Sequence, residues 1–375
     1  MASTRLETGD LGCTNVEGVG TASKGAGATS QLVMGLQQGD GKAFSGQQCT
    51  GGETGDASAD HNDVPISLHP GMLAAQASDL WMLDALRSAL DGAGALLQGT
   101  HLAACQALGG GCSQQAWKLT LSDGRHLFAK QGKADMLQAE QRGLAALHAM
   151  ADPADLVVPE PLELLPTASD SALLLLPWLD LVGSNQASLG RGLARLHRES
   201  AARGQGGFGW DTDGFIGLGP QPAGWRHGWG EAFVDLRLRP QLRLARGWGF
   251  QGDADTAWLE ALSALLDQHH PCPSLVHGDL WGGNAGVSAD GRGVILDPAC
   301  WWADREVDLA MTHLFGGFSR AFYDAYMQEW PLDPGAAERI AIYNLYHLLN
   351  HANLFGGGYQ RQSVEAIRQL QRRLG

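Results

Sequence analysis

The chain has no Cys-x-x-Cys pair, no apolar run of eighteen residues and little positive charge, with 26 Lys and Arg against 40 Asp and Glu. The first absence leaves neither a zinc ribbon nor a thioredoxin motif. The six cysteines, at 13, 49, 105, 112, 272 and 300, read instead as intracellular thiols. The second argues against a membrane span. A net charge of −14 makes a nucleic-acid backbone an unsuitable partner. The N-terminus lacks the basic-then-apolar pattern of a signal peptide, and its first 70 residues carry eight acids against three bases, which speaks against a transit peptide. A cytoplasmic location is the expectation. Residues 1–70 also hold thirteen glycines, one aromatic (Phe44) and none of the twelve tryptophans. Such a stretch cannot bury enough apolar surface to offset its ordering entropy, so it is expected to be disordered.

Apolar content is 44% over 375 residues, enough for a core and for two lobes beyond the tail. The most informative stretch is His277-Gly278-Asp279-Leu280-Trp281-Gly282-Gly283-Asn284, followed by Val294-Ile295-Leu296-Asp297. An acid stands five positions before an amide, and a second acid thirteen after it. Phosphoryl transfer needs these parts: a carboxylate to take the proton of the attacking hydroxyl, and an amide oxygen with a second carboxylate to hold Mg²⁺ against nucleotide phosphates. His-Gly-Asp alone would read equally well as a turn capped by Asn284. The spacing of all three residues makes catalysis the better account.

The rest of the chain supplies a setting. Leucines from Leu80 to Leu97 recur at helical spacing after Ser78-Asp79. Gly109-Gly110-Gly111-Cys112 leads into an alternating strand, Ala116–Leu121. A hairpin turn at Ser122–Arg125 follows, then a return strand ending at Lys130. A helix is expected from Ala134 to about Met150 carrying Glu140, then strands at Val157-Val158-Pro159 and Leu173–Leu176. This half reads as a small sheet with two helices. After Pro177-Trp178-Leu179 the pattern turns helical: one helix around Leu189–Arg198, a long ordered loop over 206–230, and helices over 231–270 and 305–373. The expected fold is α+β and protein-kinase-like. A nucleotide-binding N-lobe would span 71–179, and a helical C-lobe with the catalytic and substrate site 180–375.

Each candidate has a plainer alternative. Gly110, Gly111 and Cys112 could cradle phosphates through backbone N–H groups, or form an ordinary hairpin. Lys130 and Glu140 could be a phosphate clamp, or a surface lysine and a solvated glutamate. Cys112 could be a small apolar residue, or a redox group pairing with a second molecule, so a monomer and a redox-linked homodimer both stay open. Arg305 and Asp308 could brace the catalytic loop, or simply start a charged helix. His347 and His351 share a helix face, but no third ligand lies nearby, which favours packing or substrate contact over a metal.

These same residues resemble the fructosamine-3-kinase (ketosamine-3-kinase) family, close to its bacterial-type members, over roughly residues 76–375. The matching segments include Gln115–Leu119, Met136–Glu140, Phe208–Trp210, Phe215–Gly217, Pro220–Pro222, His277–Asn284, Asp297–Ala299, Arg305–Thr312, Leu314–Phe318 and Tyr343–His351. The resemblance implies ATP-dependent phosphorylation of the sugar 3-hydroxyl of ketosamines, small or protein-linked, after which the adduct decomposes and the amine is regenerated. It implies Asp279 as base, Asn284 and Asp297 as Mg²⁺ ligands, Lys130 with Glu140 as phosphate clamp, and Pro177, Trp178 and Leu179 as the hinge beside adenine. Pro177 stands where the family usually has Glu. It cannot donate a hydrogen bond, but its carbonyl accepts one and Leu179 can donate. Ser113-Gln114 replaces the more usual Ile-Asn. Trp301-Trp302-Ala303 replaces Tyr-Tyr-Gly and leaves substrate preference open. Two competing expectations remain: a kinase of the same broad fold acting on an aminoglycoside, choline or a sugar, and a nucleotide-binding scaffold without catalysis.

Overall fold

The structure is a computed structural model that describes residues 90, 97, 99–108, 115–167, 170–252 and 257–374. The tail 1–70, most of the helical pattern after Ser78, and Gly110, Gly111 and Cys112 lie outside the described residues.

The alternating segments pair as antiparallel strands. β1 (Leu102–Leu108), β2 (Gln115–Leu121), β3 (His126–Lys133), β5 (Glu163–Pro166) and β6 (Ser171–Pro177) form one sheet in the order β1-β2-β3-β6-β5. One face buries Trp117, Leu119, Leu127, Ala129, Leu173 and Leu175. The other packs Leu174 and Leu176 against Leu137, Leu144 and Leu147 of α1 (Ala134–Met150). Strand β6 is covered on both faces, which is why it reads as an unbroken leucine run without alternation. Strand β5 was not expected. Its sequence, Glu-Leu-Leu-Pro, has little β-propensity and is fixed by pairing with β6.

The strand expected at Val157–Pro159 needs correction. The observed strand is β4 (Leu156–Val157), and it leaves the first sheet to run parallel to β13 (Gly293–Ile295). Neighbouring Asp155 holds it there, binding Arg191 and Arg195 at 2.7 Å each while its carbonyl accepts the Gly293 N–H.

Beyond Pro177, α2 (Ala187–Arg203) extends the expected helix. The stretch 206–230 is not a plain loop. It contains β7 (Phe208–Trp210), β8 (Gly214–Ile216), β9 (Gly219–Gln221) and β10 (Gly224–Arg226), and α3 (Trp229–Phe233) begins at its end. Strands of three residues are too short to show a period. β7 and β10 join β11 (Ser274–Val276) and β14 (Trp301–Ala303) in a four-stranded sheet ordered β10-β7-β14-β11. A π-helical turn over Val234–Leu238 and α4 (Arg239–Ala245) continue α3 without a break, Pro240 standing where π gives way to α; the run ends at Gly249, and α5 (Ala257–Asp267) follows. The hairpin of β12 (Ala285–Val287) with β13 lies between the segment His277–Asn284 and Asp297. Last come α6 (Glu306–Phe315), α7 (Arg320–Glu329), α8 (Ala336–Phe355) and α9 (Gly358–Leu374). Trp229 centres the helical core among Phe208, Phe233, Trp301 and Tyr343, with ring centroids 5.1–5.7 Å away. Among the described residues, no helix is long and apolar enough to cross a membrane. Cys105 and Cys300 are free thiols, whereas Cys272 is disulfide-bonded, against the expectation of thiols throughout.

Candidate active site

Lys130 sits on β3, where the pleat turns its side chain off the sheet toward α1. Glu140 lies on the inner face of that helix, and Lys130 Nζ donates to its Oε2 at 2.9 Å. Both residues are buried. The same Nζ reaches Asp297 Oδ1 at 2.7 Å, just past β13. Burial raises the Glu140 carboxyl to about 8, with Lys130 opposing and Asp297 adding to the rise. Burial is the largest influence on Asp297 and works against its ionised form, but the Lys130 ammonium, the Glu140 hydrogen bond and His277 together hold that carboxyl below the usual range. Asp297 has φ +52, a left-handed backbone that few non-glycine residues adopt, at a point the sequence marks as functional.

The segment His277–Asn284 is a loop held by its backbone. Asp308, in the first turn of α6, accepts the N–H of His277 at Oδ2 and of Gly278 at Oδ1, both at 2.8 Å. Gly278 has φ +81, and a Cβ there would lie 2.2 Å from the Ala299 carbonyl, so the turn admits only glycine. His277 donates from Nε2 to the Leu296 carbonyl at 2.7 Å and accepts the Asp279 N–H at Nδ1. Burial lowers its pKa, so the ring is neutral. Asn284 donates from Nδ2 to the Asp279 carbonyl at 2.9 Å and to Asp279 Oδ2 at 3.3 Å. The amide nitrogen is thus spent on the loop, leaving Oδ1 as the atom that can meet a cation. Burial, reinforced by Asp297, raises Asp279 to about 7. The Asp297 carboxylate and the free Asn284 Oδ1 are hard oxygen donors of the kind a divalent cation takes.

The structure thus brings together Lys130, Glu140, Asp279, Asn284 and Asp297. Pro177 pairs with Leu127, three residues along β3 from Lys130 and so about 10 Å away. Trp178 donates its backbone N–H to the His126 carbonyl and its indole N–H to Asp180 at 2.8 Å, with Lys118 Nζ 4.4 Å over the ring. Leu179 follows in the connection to α2. Gly110, Gly111 and Cys112 are outside the described residues.

Asp308 braces the loop as expected. Arg305 does not touch it, and instead donates to the Trp330 and Pro331 carbonyls after α7. His197, fully buried on α2, contacts Asp308 at 3.1 Å and was not singled out in the sequence, where it is one histidine within an ordinary helix. His351 Nδ1 bonds the His347 carbonyl, and its ring lies between Phe315 and Tyr359. Among the described residues, His269, Asp304 and Glu306 gather donor atoms within 4.8 Å of one another. Arg339 already grips both Glu306 oxygens, and Tyr343 donates to Asp304 at 2.6 Å. That charge is met by protein, and the group works as an ionic bracket at the start of α6.

A family model described as fructosamine kinase matches residues 92–373. A probable ketoamine kinase of Synechocystis sp. is 42% identical over 270 residues, 71% of this chain and 90% of that protein. The ketosamine-3-kinase of Mus musculus is 31% identical, over 70% of this chain and 93% of its own. A crystal structure provisionally named a fructosamine-3-kinase, from Haemophilus somnus 129PT, superposes with a TM-score of 0.67 at 27% identity. It covers 76% of this chain and 97% of that one.

Proposed function

The chain belongs to the fructosamine kinase family, and from that premise we propose that it transfers the γ-phosphoryl group of ATP to the sugar 3-hydroxyl of ketosamines. The phosphorylated adduct then decomposes and releases the amine. The observation that carries the reading is the assembly of Lys130, Glu140 and Asp297 within 2.9 Å contacts beside Asp279, from parts of the chain far apart in sequence.

We assign Asp279 as the base. The 3-hydroxyl oxygen attacks the γ-phosphorus, the bond from that phosphorus to the β–γ bridging oxygen breaks, ADP leaves, and the hydroxyl proton passes to the Asp279 carboxylate. A base whose pKa lies near 7 suits that exchange near neutral pH. Lys130, steadied by Glu140, would meet the α- and β-phosphates. Asn284 Oδ1 and Asp297 fit a Mg²⁺ ion, which when bound supplies positive charge against the phosphates. Pro177, Trp178 and Leu179 would face adenine, and Gly110, Gly111 and Cys112 the phosphates. The nucleotide would belong to the 71–179 part and the acceptor to 180–375. The acceptor is a small or protein-linked ketosamine.

ADP release with Mg·ATP tests this, comparing fructosyl-lysine and a ribulosamine with choline and an aminoglycoside. Turnover on the ketosamines alone is expected. Turnover only on another alcohol would keep the kinase and discard deglycation, and ATP binding without any turnover would favour a scaffold.

A further inference from the structure

The loop that carries Asp279 is fixed by a chain of hydrogen bonds that runs through α7, a helix with no residue in the candidate site. Arg305, immediately before α6, is the first member. Its guanidinium lies 3.8 Å over the Trp330 ring, donates to the Trp330 and Pro331 carbonyls at 2.8 and 2.5 Å, and reaches the Tyr326 hydroxyl at 3.5 Å. Tyr326 is buried on α7, and its hydroxyl meets His197 Nδ1 at 2.9 Å. His197 Nε2 meets Asp308 Oδ2 at 3.1 Å, and Asp308 holds the N–H groups of His277 and Gly278.

Proton placement gives this chain a direction. Asp308 is ionised, its carboxyl held low despite burial by His197 and by the backbone N–H groups it accepts. A carboxylate only accepts, so His197 must present N–H at Nε2. A bare Nδ1 then needs a donor, and the hydroxyl against it among the described residues is that of Tyr326. The Tyr326 O–H therefore points to Nδ1 and leaves its oxygen free to accept from Arg305. Each bond polarises the next in the same sense, inside a site that excludes water. The packing permits no slack: a Cβ on Gly190 of α2 would lie 2.0 Å from the Phe322 carbonyl of α7, so the two helices touch backbone to backbone.

We propose that Tyr326 is a positioning residue for phosphoryl transfer: by donating to His197 Nδ1 it fixes the Nε2–H tautomer, and so fixes the Asp308 carboxylate that orients the turn bearing Asp279. The inference rests on the assignment of Asp279 as base. Without the phenol O–H, the His197 lone pair is buried without a donor. The ring can then exchange tautomers and offer Asp308 a lone pair in place of an N–H, which loosens the loop and not the nucleotide clamp.

Tyr326→Phe in the full chain keeps the ring and removes the donor. With fructosyl-lysine and Mg·ATP, kcat is expected to fall roughly tenfold while the KM for ATP stays within about twofold, since small misplacement of a reacting group is costly. In an Asp279→Asn background the same change should cost nothing further, because the group it positions is gone. Equal losses in both backgrounds, or a wild-type kcat in Tyr326→Phe, would overturn the proposal. Nitrogen-15 NMR of the wild-type protein labelled at histidine gives a reading that needs no variant to fold. His197 protonated at Nε2 and bare at Nδ1 is expected, and the opposite tautomer overturns the proposal. Wild-type turnover in Asp279→Asn alone would instead remove the base assignment, a failure visible separately from the tautomer.

Discussion

Lys130 and Asp297 stand 167 residues apart and meet at 2.7 Å, with Glu140 on the same ammonium at 2.9 Å. The contact joins the first sheet to the catalytic hairpin. It means that Glu140, of the proposed clamp, and Asp297, the proposed metal ligand, share one cation, so a change at Lys130 acts on both.

Lys130→Met should therefore raise the KM for ATP steeply and lower stability. Glu140 would be left buried without its partner, at a cost of about 3 kcal/mol at pH 8. The loss should shrink toward pH 5.5, where Glu140, already raised to about 8, binds a proton. Urea unfolding at the two pH values measures both. An equal loss at both would show that the ion pair does not set the cost.

Turnover should fall as pH drops through about 7, because Asp279 must be unprotonated to accept a proton. Stability should run the other way. The folded carboxyl binds a proton at a higher pH than the unfolded one, so between about 4 and 7 the folded state holds more protons and gains stability as pH falls. Asp279→Asn should lose about 10²–10⁴-fold in kcat and melt above wild type at pH 8. That melting gap should close near pH 5. Melting curves across pH and a kcat profile check the pair of signs.

Gly278→Ala should destabilise by at least about 2 kcal/mol, since it forces a side chain into a left-handed turn and onto the Ala299 carbonyl. A neutral result in urea unfolding would mean that the turn can relax away from Asp308.

Treatment with EDTA should stop turnover by removing Mg²⁺, yet leave the melting temperature unchanged. The bracket of His269, Asp304 and Glu306 is closed by Arg339 and not by a metal. A drop in melting temperature, restored by one added divalent ion, would turn the bracket into a metal site.

Much of this was legible in sequence because it is local. The helix Ala134–Met150 has the expected ends, and Glu140 follows Lys130 by a spacing that one strand end and two turns of helix span. Asp279, Asn284 and Asp297 share one hairpin, so their spacing encodes their meeting. His197, Tyr326 and Asp308 were not legible as a set. They lie on three helices, 111 and 129 residues separate His197 from its partners, and each sits in a pattern that packing alone would explain. The departure of Leu156–Val157 from its sheet was hidden for a related reason. Two apolar residues say nothing of their partner, and the deciding group is Asp155, a buried acid between two arginines.

That departure has a mechanical consequence. The first sheet is tied to the part of the chain after it by the covalent link at Pro177, by Leu156–Val157 bound to Gly293–Val294, by Lys130–Asp297, and by α1, whose Leu144 and Leu147 share a buried cluster with Leu275 and Ile295. A sheet fastened at several separate points cannot turn freely about any one of them. The Leu156–Val157 pairing is in that sense a brace and not a hinge.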